Sequence, residues 1–504
     1  MDQNAPGLKV KFLSWDFFLV LSLFGGTALR VVSLLRESAV GDELFCRKLA
    51  LLPWKESMQA VLKDIVTPPV HYMSFKAWSA MAGKGLFELR VAALFFGIAV
   101  ITGTFLLGKF IFRDTKIAAI AGILVAGNDL QILFSHFARH YTMYSVFVLA
   151  LLALFWHALQ KPRSWPVWLA FTGIGTILVY THYIGWLYLF SFFPLVLTKP
   201  FRRLLRGFLI SGTVTALLFL PWLLAVAPHY RNRGGLDVNL AWVKTPSFQD
   251  FPELFARFSG LPGISGYLLF FSAVGIFIVV IYGLVSGGKS VMAGFNPASR
   301  AIWLLAGVAV IPPCVLFLLS RPPLELPIWG FRHLMPSQAP WTLLTALAII
   351  SISRQTRRAV AFFLIAATVS FQWLPSFQST LRLRFPPISK VTAYLKEAGR
   401  GRERIFTFSP RYRQVLNFHL DAHRAVKTLP KNIFKLPVSF WIVYNPRLEK
   451  ERENMIRLER LGYSAEKNQS FSHLKYFHKH QDDIWELRAA FLSRINRHDP
   501  DRKD

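Results

Sequence analysis

Apolar residues form continuous runs of about 20 residues that recur through the first three quarters of the chain. Runs of this length match the roughly 30 Å hydrocarbon thickness of a bilayer. The first run is too long for a signal peptide and has no small-residue cleavage site, so it is predicted to remain as a helix. We predict eleven transmembrane helices, at residues 13–35, 88–110, 117–135, 143–160, 165–183, 184–198, 207–227, 266–287, 301–320, 338–353 and 359–377.

One connector between the predicted transmembrane helices, residues 36–87, is much longer than most of the others. Its segment 68–81 is apolar enough to suggest a further span, but it is short, opens with a Pro-Pro pair and contains a histidine, a lysine and a tryptophan. We therefore predict a helix that lies in the membrane interface. The segment 43–63 is predicted to lie along the membrane surface in the same way.

The composition changes after residue 377. Residues 381–504 hold 26 basic and 14 acidic residues and no apolar run long enough to span a membrane. Strand-like and helix-like stretches alternate there, which predicts a small α/β domain. The chain is thus predicted to be mainly α, with a polytopic membrane domain (1–380) and a small α/β domain (381–504). The predicted helices of the second domain are 391–398 and 448–461, and its predicted strands are 404–408, 439–444 and 484–487.

The composition excludes several classes of protein. Of the 504 residues 53% are hydrophobic and only 17% are charged, whereas an average soluble protein is about 25% charged. A soluble enzyme and a disordered protein are therefore excluded. Cys46 and Cys314 are the only cysteines, which excludes a disulfide scaffold and a four-cysteine zinc site.

The net charge of +30, from 58 basic and 28 acidic residues, is largely a signal of topology. Fifteen basic residues fall on alternate connectors, which the positive-inside rule places in the cytoplasm. An odd number of spans then puts the connector 36–87 and the tail 381–504 on the extracytoplasmic side. Because the basic tail lies outside the cytoplasm, nucleic acid is not expected as a partner.

Ionisable and polar residues that a membrane disfavours gather on the predicted extracytoplasmic side. Such residues are costly at membrane depth and mark candidate functional sites. They are Asp42, Glu43, His71, Tyr72, Glu88, Arg90, Asp129, His136, Arg139, His140, Tyr141, His182, Tyr183, Arg332 and His333.

These residue types suit group transfer from a lipid-linked phosphate. A carboxylate can act as general base towards an acceptor hydroxyl or amine. Arginine and histidine donors can hold a phosphate leaving group and the charge that grows on it. A loop in the membrane interface can place the headgroup of a carrier lipid beside both.

The order of these features resembles the C-type glycosyltransferase superfamily of polytopic membrane enzymes. It is most similar to the bacterial branch of protein O-mannosyltransferases and the lipid A aminoarabinose transferase. The resemblance covers roughly residues 13–360. The motifs that carry it are Asp42-Glu43 in the first outer loop, Thr67-Pro68-Pro69-Val70-His71-Tyr72, Glu88-Leu89-Arg90, Ser135 with Ala138-Arg139 and Tyr141, Thr181-His182-Tyr183, Pro221-Trp222, and Arg332-His333.

The resemblance implies an enzyme of the bacterial cytoplasmic membrane with its active site and tail in the periplasm. It implies transfer from a polyprenyl-phosphate sugar, with inversion at the anomeric carbon, to an envelope lipid, glycan or protein. Asp42 would be the catalytic base, with Glu43 as a second candidate for a catalytic acid group. Donor phosphate and substrate would be bound by Arg139, Tyr141, His182, Tyr183, Arg332, His71 and Arg90.

The chain departs from the family pattern in two places. Phe137 stands where many relatives have a glutamate, so the second acidic partner is unassigned; Glu43, Asp129 or Glu88 are the alternatives. Thr67 stands where some relatives have a lysine, and Arg231 or Arg233 could supply the missing phosphate contact.

No cofactor is firmly predicted, and a divalent metal is left open. The metal candidates are Glu43, His136 and His140, of which the two histidines are four residues apart and so share one face of a helix. The alternative to an enzyme is a lipid or solute transporter, or a flippase. Transporters tend to carry charges at the bilayer midplane and internal repeats, whereas here the charges crowd one interface and no repeat is evident.

Overall fold

Helices make up most of the chain in a computed structural model, and a mixed sheet lies near the carboxyl end. The structure describes residues 15–39, 41–231, 245–260, 297–355 and, with short gaps, 369–494. By their contacts the residues group into two units, Met1–Val31 with Leu49–Phe377 and Val32–Lys48 with Gln378–Asp504. The helix that carries Asp42 and Glu43 therefore begins in the second unit.

The helices before the sheet differ widely in length, from 5 to 27 residues. In addition to α-helices, short 3-10 helices are present at Arg202–Leu204 and Phe331–Ser337. The α-helices are α1 Trp15–Arg36, α2 Gly41–Leu51, α3 Trp54–Asp64, α4 Val70–Ala82, α5 Leu86–Phe112, α6 Thr115–Gly127, α7 Asp129–Ser135, α8 Tyr141–Gln160, α9 Trp165–Thr181, α10 Gly185–Phe190, α11 Phe193–Leu197, α12 Leu205–Arg231, α13 Asp250–Ser259, α14 Pro297–Leu319 and α15 Gln338–Gln355.

The described helices make the chain a multi-pass membrane protein. Five of them are long and apolar enough to cross a membrane, or six if the bent pair α6–α7 is one span. Each predicted span outside 266–287 and 359–377 coincides with one helix or with a broken pair. Residues 266–287 and most of 359–377 lie outside the described residues, so the count of eleven stays a prediction.

The long connector after α1 is helical, as expected. Helix α4 covers most of the predicted interfacial segment, and α2 and α3 cover the segment 43–63. Pro69 precedes the first residue of α4, a position that suits proline because its missing N–H has no partner at a helix start. Ile65 ends α3 in a left-handed conformation with φ of 55°, which turns the chain towards the Pro-Pro pair.

The apolar core of the first unit is built around α5, α6, α8 and α9. Val100 and Leu107 of α5 pack in one cluster with Leu152 and Phe155 of α8. Gly97 lets α5 approach α7, because a Cβ at this position would overlap the side chain of Ser135. This close approach fixes the start of the segment 136–140, which carries several candidate site residues.

Arg30 joins α1 to the break between α6 and α7. Its side chain is fully buried. It donates to the carbonyl oxygens of Ala126 at 2.7 Å and Val125 at 3.3 Å, and to the hydroxyl of Ser135 at 3.0 Å. The last carbonyls of a helix have no partner within the helix, so this arginine satisfies groups that the break would leave bare in an apolar interior.

Arg30→Met is therefore expected to lower the free energy of unfolding by about 2–4 kcal/mol, because each buried polar group left without a partner costs about 1–3 kcal/mol. Thermal melting of the purified protein in detergent, followed by tryptophan fluorescence, measures the effect. Arg36→Met is the matched control, since Arg36 ends the same helix and is exposed. Equal melting temperatures for the two variants would contradict the assigned role.

The carboxyl-terminal unit contains a five-stranded sheet in the order β2-β1-β3-β5-β4. Strand β1 is parallel to β2 and to β3, and the β3–β5 and β4–β5 pairs are antiparallel. The predicted α/β character is thus present among the described residues. The strands are β1 Ile405–Thr407, β2 Lys427–Thr428, β3 Ser439–Tyr444, β4 Tyr463–Leu474 and β5 Ile484–Arg494; the helices are α16 Ile388–Ala398, α17 Pro410–His419 and α18 Glu449–Arg460.

This unit has an apolar centre of its own. Phe440 and Ile442 of β3 pack with Leu458 of α18 and Leu492 of β5. The segment Val32–Lys48 belongs to the same unit, and the guanidinium of Arg47 lies 4.9 Å from the centre of the Phe418 ring.

Candidate functional site

Four histidines from four separate segments meet within the first unit. His71 lies in the first turn of α4, His140 directly precedes α8, His182 directly follows α9, and His333 lies in the 3-10 helix Phe331–Ser337. Each lies at or near the end of a helix, where the backbone turns and the side chain can point across the ends of its neighbours.

The four imidazoles form a continuous chain. The ring centres of His71 and His140 are 5.0 Å apart, those of His140 and His182 4.4 Å, and those of His182 and His333 5.1 Å. His71 and His140 are buried, at 0% and 1% exposure, and His333 is half-buried. We refer to His71, His140, His182 and His333 as the histidine chain.

Arg139 reaches the same place through a hydrogen-bonded relay. Its Nη1 donates to the hydroxyl of Tyr72 at 2.7 Å, and that hydroxyl donates to Oδ2 of Asp64 at 3.3 Å. The Tyr72 ring also packs on His71, with 3.7 Å between the ring centres. The relay therefore fixes a buried guanidinium beside the histidine chain and links it to a carboxylate at the end of α3.

Tyrosines form the wall behind the histidines. The ring of Tyr141 lies 4.5 Å from that of His140, and the ring of Tyr144 lies 5.7 Å from that of His182. Tyr144 packs in turn on Tyr188, whose hydroxyl is hydrogen-bonded to the hydroxyl of Ser337 at 2.9 Å. Tyr144 and Tyr188 are themselves part of the apolar core, so the histidine chain borders that core on this side.

The surroundings keep these histidines uncharged. Burial holds the pKa of His333 well below its usual range, and Arg332, His182 and Arg139 add to this effect. Burial also holds the pKa of His140 well below its usual range, and the other histidines and Arg139 add to this effect. Desolvation and nearby positive charge both disfavour an imidazolium. The histidine chain is therefore neutral at pH 7, and fixed positive charge lies beside it.

A backbone hydrogen bond determines the tautomer of His182. The N–H of Ile184 donates to Nδ1 of His182 at 3.1 Å, so Nδ1 carries a lone pair and the proton of the neutral ring lies on Nε2. In the described part of the chain, both ring nitrogens of His140 and Nδ1 of His333 are buried without a hydrogen-bond partner. Such groups cost about 1–3 kcal/mol each, which favours occupation by a polar ligand.

Spacing alone would allow a metal ion here, because His140, His182 and His333 each offer a nitrogen within 4.8 Å of the others. The surroundings do not fit a cation. Metal-bound histidines normally donate their second N–H to a carbonyl or carboxylate, whereas the second nitrogen of His182 accepts a bond. Arg332 and Arg139 lie close enough to His333 to lower its pKa further after burial, and such fixed positive charges repel cations and attract anions.

The structure brings most of the predicted donor-site residues together. His71 and His182 belong to the histidine chain, Tyr141 packs on His140, and Arg139 is close enough to lower the pKa of His140. Arg332 is close enough to influence His182. Their role in binding donor phosphate stays a prediction.

The remaining donor-site candidates, Tyr183 and Arg90, have other described surroundings. Tyr183 is half-buried, and its hydroxyl accepts a hydrogen bond from Nε1 of Trp222 at 3.1 Å, which pairs two of the motifs that carry the family resemblance. Arg90 is buried at 4% exposure in α5. Of the three metal candidates, only His140 belongs to the close group of histidines in the described residues, and His136 packs against Phe137.

The two candidate catalytic acids differ in exposure. Asp42 and Glu43 occupy the first turn of α2; Asp42 is exposed, and Glu43 is fully buried at 0%. Both belong to the second unit. Their assignment as catalytic stays a prediction.

Asp64, like the wall residues Tyr144 and Tyr188, is a site residue that the sequence did not predict. In the sequence it reads as the second half of a surface Lys-Asp pair that ends an amphipathic segment. Its proximity to Thr67-Pro68-Pro69 was the available signal, because the residues before such a turn reach the same end of the bundle as His71 and Tyr72.

The histidine chain lies at one end of the α8–α9 pair. Helix α8 runs 20 residues from beside His140 to beside Lys161, about 30 Å at 1.5 Å per residue, and α9 returns to His182. At the far end, a groove is lined by Lys161, Pro162, Arg163, Ser164 and Arg203. The basic connectors and the histidine chain thus occupy opposite ends of these helices.

Two solved membrane proteins have a similar fold. ArnT from Cupriavidus metallidurans, determined bound to undecaprenyl phosphate, aligns over 94% of this chain and 98% of its own, with 14% identity and a TM-score of 0.52. An oligosaccharyltransferase from Archaeoglobus fulgidus, in complex with zinc and sulfate, aligns over 92% and 72%, with 12% identity and a TM-score of 0.50. No family model and no curated protein matches the sequence. The chain therefore has the same fold as these two proteins, as the resemblance in motifs predicts at the level of the fold.

Proposed function

We propose that this chain is a membrane glycosyltransferase that moves a sugar from a polyprenyl-phosphate carrier to an acceptor in the cell envelope. The observation that carries the proposal is the buried site in which neutral histidines lie beside Arg139 and Arg332. Such a site attracts an anion from the membrane interface. The similarity in fold to ArnT, whose structure holds undecaprenyl phosphate, supports a phosphate on a polyprenyl chain as that anion.

The donor phosphate would be held by charge and by directed donors. Arg139 provides a guanidinium that Tyr72 holds in place, and Arg332 adds a second positive charge. His182 points a fixed Nε2–H donor, since its Nδ1 already accepts from the backbone. His71, Tyr141, Tyr183 and Arg90 complete the set of proposed substrate contacts.

The transfer itself needs one base and one stabilised leaving group. Asp42 would remove the proton from the acceptor hydroxyl or amine, whose lone pair then attacks the anomeric carbon from the face opposite the phosphate. The bond between that carbon and the phosphate oxygen breaks, and its electron pair remains on the phosphate, which leaves as polyprenyl phosphate. Donors placed where charge develops lower the barrier.

The reaction is proposed to occur at the periplasmic face of the bacterial cytoplasmic membrane. The site lies at the end of α8 and α9 opposite the groove of Lys161, Arg163 and Arg203. Because basic connectors stay in the cytoplasm, this arrangement supports an extracytoplasmic site. The acceptor is an envelope lipid, glycan or protein.

Lipid that copurifies with the protein tests the proposal directly. Wild-type protein extracted in mild detergent is expected to retain polyprenyl phosphate or its glycosylated form, which mass spectrometry identifies. Arg139→Ala is expected to lose most of it, and Arg163→Ala, at the opposite end of the bundle, is expected to retain it. Absence of polyprenyl phosphate from wild-type protein, together with no sugar transfer from such lipids in membranes, would contradict the proposed function.

A further inference from the structure

The histidine chain has a property that phosphate binding alone does not require: it is a row of four imidazoles in mutual contact. Neighbouring ring centres are 4.4–5.1 Å apart from His71 to His333. One nitrogen from each of His140, His182 and His333 lies within 4.8 Å of the others, so a proton on any of the three rings places its positive charge at nearly the same position. Arg139 and Arg332 already supply fixed charge for binding an anion.

The charge of the phosphate changes during the proposed reaction. A polyprenyl-phosphate sugar is a phosphodiester with a single negative charge. The polyprenyl phosphate that leaves is a monoester, whose second ionisation has a pKa of about 6. The site must therefore accommodate one more negative charge after the transfer than before it.

We infer that the histidine chain takes up one proton when the phosphate monoester is formed or bound, and that it takes up none with the diester donor. The inference rests on the proposed function, because it concerns the same phosphate. In the step itself, the electron pair of the broken carbon–oxygen bond stays on the phosphate, and the proton from the acceptor goes to the base. A separate proton from solvent binds to the histidine chain and balances the second negative charge of the phosphate.

The contacts of the row support this assignment. Both nitrogens of His140 are buried without a partner, as is Nδ1 of His333, so lone pairs are available in the interior of the row. The Nε2–H of His182 is fixed as a donor by Ile184. The histidine chain can thus donate a hydrogen bond to the phosphate from His182 and accept a proton on His140 or His333.

The charged and titratable groups around the row explain why it is neutral without the anion. In the described part of the chain these are Arg139, Arg332, Asp64, Tyr72, Tyr141 and Tyr144. Burial, and after it the two arginines, hold the histidine pKa values low, and Asp64 is linked to Arg139 through Tyr72. A bound dianion reverses that balance, because an opposite charge within about 4–6 Å favours the protonated ring.

Binding measured as a function of pH tests the inference. The probes are farnesyl phosphate, a monoester, and its methyl diester, with the purified full-length protein in detergent. Between pH 7 and pH 8.5 the affinity for the monoester is expected to fall about 10-fold or more, because uptake of one proton changes affinity by about a factor of 10 per pH unit. The affinity for the diester is expected to stay within about 2-fold.

Glutamine variants locate the proton. His182→Gln and His333→Gln are expected to flatten the pH dependence for the monoester; His333 is half-buried, so its variant tests the inference even if His182→Gln does not fold. His157→Gln is the control, because His157 lies near the far end of α8 against Phe110. Calorimetry in buffers of different ionisation enthalpy counts the protons directly.

The outcomes separate the inference from the proposed function. A pH dependence that survives the combined replacement of His140, His182 and His333 by glutamine would place the proton on the lipid and overturn the inference, although the proposed function would stand. Binding of neither probe at any pH would contradict both. One equivalent of a transition metal in the purified protein, lost in His333→Gln, would make the row a metal site and also overturn the inference.

Discussion

Asp42→Asn is expected to reduce the rate of sugar transfer by about 10²–10⁴-fold, the range that positioned general bases contribute. Asparagine keeps the size and hydrogen-bonding shape of the side chain but cannot accept the proton of the acceptor. The initial rate in membranes, measured with the copurified lipid-linked sugar as donor, reports the change. Retention of donor lipid by the variant is expected to equal that of wild type, because the base acts on the acceptor.

The difference in exposure between the two acids favours Asp42 over Glu43. Asp42 is exposed in the first turn of α2, so an incoming acceptor can reach it, whereas Glu43 is fully buried. A buried carboxylate at a helix start interacts favourably with the helix dipole and supports local structure. Glu43→Gln is accordingly expected to lower thermal stability more than it lowers the rate per folded molecule.

Glu56→Gln is the matched control, because Glu56 is an exposed acid in the first turn of the neighbouring helix α3. It is expected to transfer sugar at the wild-type rate. Wild-type rates for Asp42→Asn would refute its assignment as the base, and a large loss in Glu43→Gln at unchanged stability would move the role to that residue.

The sequence predicted the positions of the apolar helices well, because continuous apolarity is enough to define them, whereas the count of eleven spans stays a prediction. It did not predict the break at Asn128, since the apolar run continues on both sides. The Asn128 side chain accepts from the backbone N–H of Gln131 and donates to the carbonyl of Arg257 at 2.8 Å. That second partner is 129 residues away, so its influence on α6 and α7 is a tertiary effect that local pattern cannot reveal.

The carboxyl-terminal unit shows the same limit. The strand predicted over 439–444 was confirmed, because SFWIVY is a continuous apolar stretch that is buried on both faces. Strand β4, Tyr463–Leu474, was not predicted, since its residues are mostly polar. It pairs along its length with β5, and these backbone hydrogen bonds do not require apolar side chains.

For the candidate site, the sequence predicted which residues lie near the same end of the bundle but not their contacts. The sequence predicted that His140 and His182 lie on the same, extracytoplasmic side of the membrane. The structure places their rings 4.4 Å apart. The pairing of Arg139 with Tyr72 and Asp64 was not predicted. Tyr72 lies 67 positions and Asp64 75 positions before Arg139 in the sequence, and only side-chain geometry joins them. Hydrogen bonds of this kind follow from the packing of α3, α4 and α8.

Arg139→Ala is expected to lower kcat/KM for sugar transfer by about 10²–10³-fold, the loss seen when one positioned donor to a developing negative charge is removed. The guanidinium is buried at 7% exposure and is held by Tyr72 at 2.7 Å. Arg139→Lys is expected to recover only part of this loss, because an ammonium lacks the planar fork that fits phosphate oxygens. Initial rates over a range of donor concentrations measure both effects, and Arg163→Ala provides the control at the far end of α8.

Tyr72→Phe distinguishes positioning of Arg139 from mere burial. The variant keeps the ring that packs on His71 but loses the hydroxyl between Arg139 and Asp64, so a loss of about 10-fold is expected from one hydrogen bond to a charged group. Because the hydroxyl acts through Arg139, the double variant Arg139→Ala with Tyr72→Phe is expected to be no slower than Arg139→Ala alone, which a double-mutant cycle measures. Additive losses would show that Tyr72 acts independently of the guanidinium, and a wild-type rate for Arg139→Ala would remove Arg139 from the donor site.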